Sequence, residues 1–339
     1  MKIAVDFPSV AYREGPEKVL ALASAIEEIG YDEIAAFDHV VMGHPGDGRR
    51  TIYSADMPIL EALMLLSNIA AVTTRVSLAT EVLVLPQRQP VLVAKQISTL
   101  DTLSEGRVRL GIGVGWQDSE YDALEEDFSN RGKRMDEAID LMRSYWSGGR
   151  IEFRGTYYDS HDMGMEPVSP QGAKLPIWVG GDSAAALRRT AEKADGWIGG
   201  CFMPETGNVF LDKIKSGLLR SARDLKDFDI LVPVSLDFTD NVEETANRHA
   251  RGYGFTFGAM GSARNNFYKD AYSRQGYREI VDKVQKLWTQ GNRDQARDLV
   301  PIELALKSNL IGTDAMIKER LSLYKNIGVT TLQVSLPGK

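Results

Sequence analysis

The sequence predicts a single (β/α)8 barrel, an α/β fold of the TIM-barrel type with a helical insertion after the seventh strand. Short apolar runs bounded by glycine or proline alternate with helical segments, and eight such runs are present. Each run except the last is followed by a helical segment, as in repeated βα units with a parallel sheet. The chain has 339 residues, which suits eight such units. We therefore expect one barrel domain over residues 1–339.

The first half of the chain contains four predicted strand–helix units. The helical segments carry apolar residues at helical spacing, and the first of them ends at Gly30, a residue typical of a helix C-terminus. Residues 117–120 have the sequence of a loop or a helix cap. The predicted strands are 2–6, 33–37, 75–79 and 108–114, and the predicted helices are 17–29, 59–72, 91–103 and 132–146.

The second half begins with a β-hairpin, predicted from alternating polar and aromatic residues around Gly155 in 150–160. Residues 241–306 are mostly helical in pattern and form the predicted insertion. Within it, 252–268 are rich in glycine and aromatic residues and include Arg264, Asn265 and Asn266, which favours a pocket lid over a packed helix; a plain surface insertion is the alternative. The remaining predicted strands are 176–180, 196–200, 231–238 and 330–335, and the helices are 183–194, a segment that runs through Leu225, and 316–327.

The main alternative fold is a doubly wound open sheet that binds a dinucleotide. That fold normally places phosphate-binding glycines in the first βα connection, where residues 7–16 contain only Gly15. The run 111–116 (GIGVGW) does not match GxGxxG, because Trp116 takes the place of the last glycine. Its glycines are better explained by the close approach of a flat ring or of backbone.

Composition argues against several classes of partner and chemistry. The net charge is −7, with no run of basic residues, so nucleic acid and anionic membranes are not expected partners. No apolar stretch is long enough to cross a bilayer, and the N-terminal residues enter a strand pattern directly, so we expect a cytoplasmic protein without a cleavable signal. The single cysteine, Cys201, excludes an internal disulfide and a cysteine-based metal site. His44, His161 and His249 are isolated, so no metal site is predicted.

Asp38 and His39 follow the second predicted strand and are the catalytic candidates. In a barrel, the chemistry gathers at the carboxyl ends of the strands. A carboxylate beside an imidazole can orient a polar ring edge or exchange a proton. The alternative is a structural pair that satisfies backbone groups of the loop.

Two further strand ends carry candidate binding residues. Thr80, Glu81 and Val82 follow the third strand, where a glutamate in an apolar run needs a partner or solvent. Glu81 either lies in a pocket or simply closes the strand at a loop. The sequence PIWVGGDS (176–183) ends a strand in two glycines before an alanine-rich helix, so its bare N–H groups favour a phosphate site. The alternative is that Asp182 or Ser183 only caps the helix.

Several phrases of the sequence together resemble the bacterial luciferase-like family, particularly its members that use coenzyme F420. The resemblance covers almost the whole chain, and its late block is similar to a subgroup related to methylene-tetrahydromethanopterin reductase. The phrases are 78–116, FDHVV (37–41), PIWVGGDS with ADGW (176–183, 194–197), GAMGSARNNFYKDAYSRQGY (258–277) and IGTDAMIKERLSLYKNIGVTTL (311–332).

The resemblance implies a barrel, often dimeric, with a cofactor ring across the strand carboxyl ends. It implies that Glu81 and Val82 form a bulge that often contains a non-prolyl cis peptide. It also implies that the loop of Asp38 and His39 lines the ring and the substrate. Sugar-phosphate dehydrogenases of the family carry glutamate at the position of Trp116, which weakens the case for a sugar phosphate. The cofactor-binding candidates are Asp38, Thr80, Glu81, Val82, Trp116, Ser119, Gly180, Gly181, Asp182 and Ser183.

These observations lead to a first hypothesis and two alternatives. The first is a coenzyme F420-dependent oxidoreductase that moves hydride between the deazaflavin and a small organic substrate, with His39 as proton donor or acceptor. The second is a monooxygenase that uses FMN and oxygen and needs a flavin reductase as partner. The third is a non-catalytic barrel that binds a flavin. A homodimer is expected in each case from the tendency of the family.

Overall fold

The computed structural model describes residues 1–8, 10–44, 55–260 and 266–335. Most strands are short apolar runs, and their residues are buried on both faces, as expected for parallel strands covered by helices. The strands are β1 (Lys2–Asp6), β2 (Glu33–Ala36), β3 (Ser77–Thr80), β4 (Leu83–Val84), β5 (Val108–Gly113), β6 (Ile151–Arg154), β7 (Asp159–Met163), β8 (Ile177–Gly180), β9 (Gly196–Ile198), β10 (Asp229–Val234), β11 (Leu236–Phe238), β12 (Leu310–Gly312) and β13 (Thr331–Ser335).

The helices begin and end at residues that suit their positions. Proline stands at the first position of the first and third helices, and Gly30 and Gly328 adopt the left-handed conformation just after the helices that they end. The helices are α1 (Pro16–Ile29), α2 (Ala62–Ala70), α3 (Pro90–Leu103), α4 (Asp118–Ala123), α5 (Arg131–Trp146), α6 (Ala184–Lys193), α7 (Asn208–Arg220), α8 (Val242–Ala259), α9 (Phe267–Tyr272), α10 (Arg278–Thr289), α11 (Arg293–Asp298), α12 (Ile302–Ser308) and α13 (Asp314–Ile327).

The main sheet has the strand order β3-β2-β1-β13-β10-β9-β8-β5-β4, and a further pairing of β3 with β5 closes it. The two pairings with β5 follow one another, because Leu78 lies beside Val108 and Leu83 lies beside Ile112. Strands β3 and β4 therefore occupy one position of the barrel, so nine strands fill eight positions. The predicted (β/α)8 barrel is confirmed.

Three predicted elements differ from the structure. The predicted strand 231–238 breaks at Ser235, and its second half, β11, pairs with the unpredicted strand β12. Residues 117–120 were predicted as a loop or cap; Gln117 is at the N-cap position, but residues 118–120 form the first turn of helix α4, which buries Glu120 and Tyr121. The helix predicted to run through Leu225 ends at Arg220.

The prediction of a pocket lid at 252–268 was wrong for residues 252–259. These residues belong to α8, and its glycines allow close packing of helices. A Cβ on Gly254 would lie 2.8 Å from the Cα of Arg297, and one on Gly258 would overlap the ring of Trp288. Asn266 caps α9, where its side-chain oxygen accepts the Lys269 N–H at 2.9 Å. Arg264 and Asn265 lie outside the described residues.

The chain divides into two compact units. The N-terminal unit contains residues 2–180 and 193–196, and the C-terminal unit contains 181–192 and 197–335. The N-terminal unit packs α3 and α5 together over its strands, and the indole N–H of the fully buried Trp146 donates to the Ala94 carbonyl at 3.0 Å. A fully buried large apolar side chain of this kind contributes about 1.5–3 kcal/mol.

Polar side chains fasten the amino ends of the strands in the N-terminal unit. The guanidinium of Arg107 donates to the carbonyl oxygens of Ala70, Thr73, Val76 and Ser104. The carboxylate of Glu27 accepts the consecutive N–H groups of residues 74–76. These contacts satisfy backbone groups that would otherwise lack partners at the turns before β3 and β5.

The C-terminal unit has an aromatic core. Trp197 and Phe210 are fully buried, with ring centroids 5.7 Å apart, and Tyr253 stacks on Phe257 at 5.9 Å. Helix α8 packs against α10, α11 and α12, so the residues after β11 form a helical layer. In the part of the chain that the structure describes, no helix is both long and apolar enough to cross a membrane.

Candidate active site

Asp38 lies just beyond β2 and is 2% exposed. Its Oδ2 accepts the Val84 N–H at 2.9 Å, and its Oδ1 accepts from Nη2 of Arg88 at 2.8 Å. Burial raises the pKa of Asp38, while Arg88 and the Val84 N–H favour the ionised form. Both carboxylate oxygens thus hold the loop after β2 against the segment after β3. This is the structural role that the sequence left open as an alternative.

His39 forms a buried pair with Glu120. The Nδ1 of His39 lies 3.0 Å from Oε2 of Glu120, and Oε1 of the same carboxylate accepts the Val40 N–H at 2.6 Å. Glu120 is 1% exposed and is held in place by helix α4. One carboxylate therefore fixes both the ring of His39 and the backbone that follows it.

The pKa of Glu120 is lowered. Burial works against its ionised form, but hydrogen bonds from His39, Gln87 and Val40 outweigh that effect. An ionised carboxylate can only accept, so Nδ1 of His39 carries the hydrogen and Nε2 is the nitrogen that can exchange a proton. Sequence reasoning missed Glu120; the available signal was an acidic residue one turn into a short helix at a strand end.

Aromatic rings flank the imidazole of His39. The ring centroid of Phe37 lies 5.0 Å away, and that of the half-buried Trp116 lies 5.9 Å away, both with the edge of one ring facing the other. The structure thus brings together two residues predicted for the site, Trp116 and His39. Ser119 lies in the first turn of α4 and is half-buried.

Glu81 follows β3, and its buried side chain forms an ion pair with Arg109 of β5. Arg109 is 4% exposed, binds Glu81, and also holds Glu33 with Nε–Oε2 at 2.8 Å and Nη2–Oε1 at 2.5 Å. Burial raises the pKa of Glu81 to about 7; Arg109 opposes the rise, and the charges of Glu33 and Asp6 add to it. Arg109 and Glu33 were not identified from the sequence, because their partners are far away along the chain.

Val82 fills space above two glycines. A Cβ on Gly113 would lie 2.6 Å from Cγ2 of Val82, and one on Gly180 would lie 3.1 Å from Cγ1. Gly113 and Gly180 therefore make room for a side chain at the carboxyl ends of β5 and β8. Thr80, just before this segment, donates its hydroxyl to the Gly111 carbonyl at 2.6 Å, so the hydroxyl joins neighbouring strands.

The peptide bond between Glu81 and Val82 is cis. This agrees with what the resemblance to the luciferase-like family implied.

In the C-terminal unit, the turn 181–183 leads into α6. The Ser183 hydroxyl accepts the Ala186 N–H at 3.1 Å, so Ser183 is a helix cap. The Gly181 N–H lies 3.4 Å from the Ile198 carbonyl oxygen, and Gly181 has φ +116°, a conformation that favours glycine. The capping alternative is thus observed for Ser183, and phosphate binding at this turn stays a prediction.

Asp182 is 8% exposed and lies among groups that the sequence did not indicate. Burial raises its pKa to about 7, while Arg274 and a hydrogen bond with the Cys201 thiol oppose the rise. Arg274 also donates to the Asp182 carbonyl at 2.5 Å. An ionised carboxylate would repel a phosphate, so a phosphate at this turn would favour the protonated form of Asp182.

Comparison with known proteins identifies the family. The model of the family described as luciferase-like monooxygenase matches residues 3–331. The chain belongs to the luciferase-like family. The resemblance stated from the sequence is confirmed, and the chain is an oxidoreductase of that family.

Relatives of this luciferase-like chain are known over nearly its full length. A Mycobacterium tuberculosis protein provisionally named a coenzyme F420-dependent oxidoreductase is 26% identical over 94% of this chain and 91% of its own. An F420-dependent glucose-6-phosphate dehydrogenase of Nocardia farcinica is 25% identical over 99% of this chain and 93% of its own.

A solved structure shares the fold. It is the coenzyme F420-dependent tetrahydromethanopterin reductase of Methanopyrus kandleri, which superposes with a TM-score of 0.77 at 20% identity, over 99% of this chain and 93% of the reductase. Among the described residues, no group of three or more histidine, cysteine, aspartate or glutamate side chains could hold a metal ion.

Proposed function

We propose that this luciferase-like chain is a coenzyme F420-dependent oxidoreductase that moves hydride between the deazaflavin and a small organic molecule. The names of its full-length relatives support the cofactor. The observation that carries the proposal is the buried pair of His39 and Glu120 at the carboxyl end of β2, where barrel enzymes bind their substrates.

The residues of the N-terminal unit fit a flat ring. Val82 offers an apolar surface over Gly113 and Gly180, and Trp116 stands half-buried beside His39. We infer that these side chains would hold the ring, with no charged group required beneath it. The bound deazaflavin would supply the carbon that gives or accepts hydride.

His39 supplies the proton chemistry in this proposal. Glu120 fixes the hydrogen on Nδ1, so Nε2 accepts a proton from an alcohol group or, once protonated, donates one to a carbonyl oxygen. Phe37 and Trp116 lie edge-to-face against the imidazole, and His39 is 7% exposed. Asp38 is a positioning residue, because its carboxylate oxygens are engaged by Val84 and Arg88.

The cofactor is tested by titration of the purified chain with oxidised coenzyme F420 and, separately, with FMN, followed by cofactor fluorescence. We expect saturable binding of the deazaflavin and weaker binding of FMN. Binding of FMN alone would contradict the proposal. Phosphate binding at residues 181–183 is tested by the same titration with deazaflavin analogues that lack the phosphodiester. We expect these analogues to bind more weakly than coenzyme F420, and equally tight binding would contradict the prediction.

The role of His39 is tested with His39→Gln. The chain offers a matched control in His161→Gln, because His161 also faces a carboxylate, Glu152 at 3.3 Å, but on an exposed hairpin. We expect His39→Gln to bind the cofactor and to lose about 100-fold or more in the rate of its reduction by secondary alcohols or reoxidation by unsaturated ketones. Equal rates in the two variants would remove His39 from the mechanism.

The second candidate is a monooxygenase that uses reduced FMN and oxygen. It is favoured by the description of the family, which names monooxygenases. It requires a flavin reductase as partner and predicts oxygen consumption that depends on FMN. For either candidate we expect a homodimer, which sedimentation would detect.

A further inference from the structure

Residues 81–84, called the crossing segment here, comprise the link between β3 and β4 together with β4 itself, and they are held at both ends. At one end Glu81 binds Arg109, and at the other the Val84 N–H donates to Asp38 at 2.9 Å. Between these anchors Val82 contacts the backbone positions of Gly113 and Gly180. The position of Val82 therefore depends on contacts made by its neighbours along the chain.

Arg109, the residue that holds Glu81, is 4% exposed. Its guanidinium bonds Glu33 of β2 through two nitrogens, at 2.8 and 2.5 Å, and also binds Glu81. The guanidinium lies over the ring of Trp178, 3.9 Å from its centroid. The planar guanidinium lies between two carboxylates and the face of an indole ring, and these contacts together fix its orientation. The ammonium group of a lysine cannot make the same set of contacts.

The crossing segment forms part of the surface at the carboxyl ends of the strands. Gly113 ends β5 and Gly180 ends β8, so Val82 covers two neighbouring strand ends. Molecules that bind to barrels of this kind meet this end of the strands. A shift of about 1 Å in Val82 would change the surface that such a molecule meets, and reactions are sensitive to displacements of that size.

We propose that Arg109 is a positioning residue: through Glu81 it fixes the crossing segment, and thereby sets the surface on which a bound cofactor ring rests. The first half of this proposal concerns the chain alone, and the second half rests on the proposed function. Arg109 contributes no atom to the reaction in this role. It acts by limiting the motion of Val82.

The first half is tested by hydrogen–deuterium exchange of the cofactor-free chain. Arg109→Lys keeps the charge but loses the fork, and we expect exchange of the amides of residues 80–85 to accelerate about tenfold or more. The matched control is Arg107→Lys. Arg107→Lys also loses several hydrogen bonds, but Arg107 lies just before β5 and bonds the carbonyl groups of Ala70, Thr73, Val76 and Ser104, none of which belongs to residues 80–85. Equal exchange at 80–85 in the two variants would overturn the proposal.

A second variant covers the case in which Arg109→Lys fails to fold. Glu81→Met cuts the link to the crossing segment and leaves Arg109 paired with Glu33. We expect hydrogen exchange of the same amides to accelerate in Glu81→Met. Combining Glu81→Met with Arg109→Lys should add little further acceleration, because both changes break the same connection. Unchanged exchange in Glu81→Met would overturn the role of Arg109.

The second half is tested by the difference absorbance spectrum of bound coenzyme F420. We expect Arg109→Lys to shift the spectrum of the bound cofactor and to weaken binding about tenfold, whereas Arg107→Lys leaves both as in the wild type. A purely structural role would leave the spectrum unchanged. Failure of the wild-type chain to bind coenzyme F420 would refute the proposed function, while the exchange experiment still judges Arg109.

Discussion

A rise in pH from about 5 to about 8 is expected to weaken the fold through Glu81. Burial raises the pKa of this carboxyl from its ordinary 4.5 to about 7, against the opposing effect of Arg109. The folded state therefore keeps a proton that the unfolded state has already released between these two values. This stabilisation is fully present below 4.5 and is lost as the pH rises through about 7. The difference amounts to about 3 kcal/mol, a large part of a typical net stability.

The assay is urea unfolding followed by circular dichroism at both ends of this pH range. Glu81→Gln has no proton to release at this position. Across this pH range its free energy of unfolding should therefore decrease by about 3 kcal/mol less than that of the wild type. Asp6, whose pKa burial raises to about 6, keeps its own share in both proteins. Glu28→Gln, which removes one exposed carboxylate from the same unit, is measured beside Glu81→Gln as the matched control. Parallel loss of stability in the wild type and Glu81→Gln would refute the reasoning.

Three further predictions concern other contacts. In Glu120→Gln, the side-chain oxygen can still accept from the Val40 N–H, but the amide presents its own N–H to Nδ1 of His39. We therefore expect ¹⁵N spectroscopy to find the opposite imidazole tautomer and urea unfolding to find a loss of about 1–2 kcal/mol in the free energy of unfolding. Retention of the wild-type tautomer would show that Glu120 does not set the tautomer. Gly113→Ala places a Cβ 2.6 Å from Val82 and should cost about 1–3 kcal/mol in stability, partly restored by Val82→Ala; additive losses in the double variant would mean that the two positions do not compete for space. For Glu27, slight burial works against the ionised form, but N–H bonds from Val76, Thr74 and Arg75 outweigh it and lower the pKa to about 2. Its stabilisation is present above its ordinary pKa and is lost as the pH falls through about 2, and Glu27→Gln should cost about 1 kcal/mol at neutral pH after solvent screening; an unchanged unfolding midpoint would argue against the role of Glu27 as an anchor.

The barrel was predictable because its signals are local. Alternation of apolar runs and amphipathic helices needs only a short window of sequence, so the elements of the main sheet lie close to their predicted positions. Strand β12 was not predictable in this way, because three residues, Leu310–Gly312, carry no period. The break at Ser235 depends on pairing with that strand, more than 70 residues later along the chain.

The candidate site was predictable only in part. Asp38 and His39 could be found from their place after a strand, but the partners that define their roles, Arg88 and Glu120, are distant in sequence. Such pairs become visible only when the chain has folded. Gly113 is a similar case. From the sequence, this glycine was attributed to the close approach of a ring or of backbone, whereas the structure places the side chain of Val82 against it.

The glycine-rich segment of α8 shows a second limit. Glycine lowers helix propensity, so the composition of residues 252–259 favoured a loop. In the structure, the absence of a side chain at Gly254 and Gly258 lets neighbouring helices approach closely, and tertiary packing outweighs local propensity.

The fastenings made by Glu27 and Arg107 have a consequence for how this protein can change. They tie the turns before β3 and β5, while His39 and Val82 belong to the other ends of the strands. The residues that stabilise the fold here are therefore different from the residues proposed to act on the cofactor and substrate. Variation after the strands can then be explored, by natural selection or in a designed library, while the opposite ends keep the scaffold intact. Improvements in heat tolerance would best be sought around Glu27 and Arg107, where added bonds would leave specificity untouched.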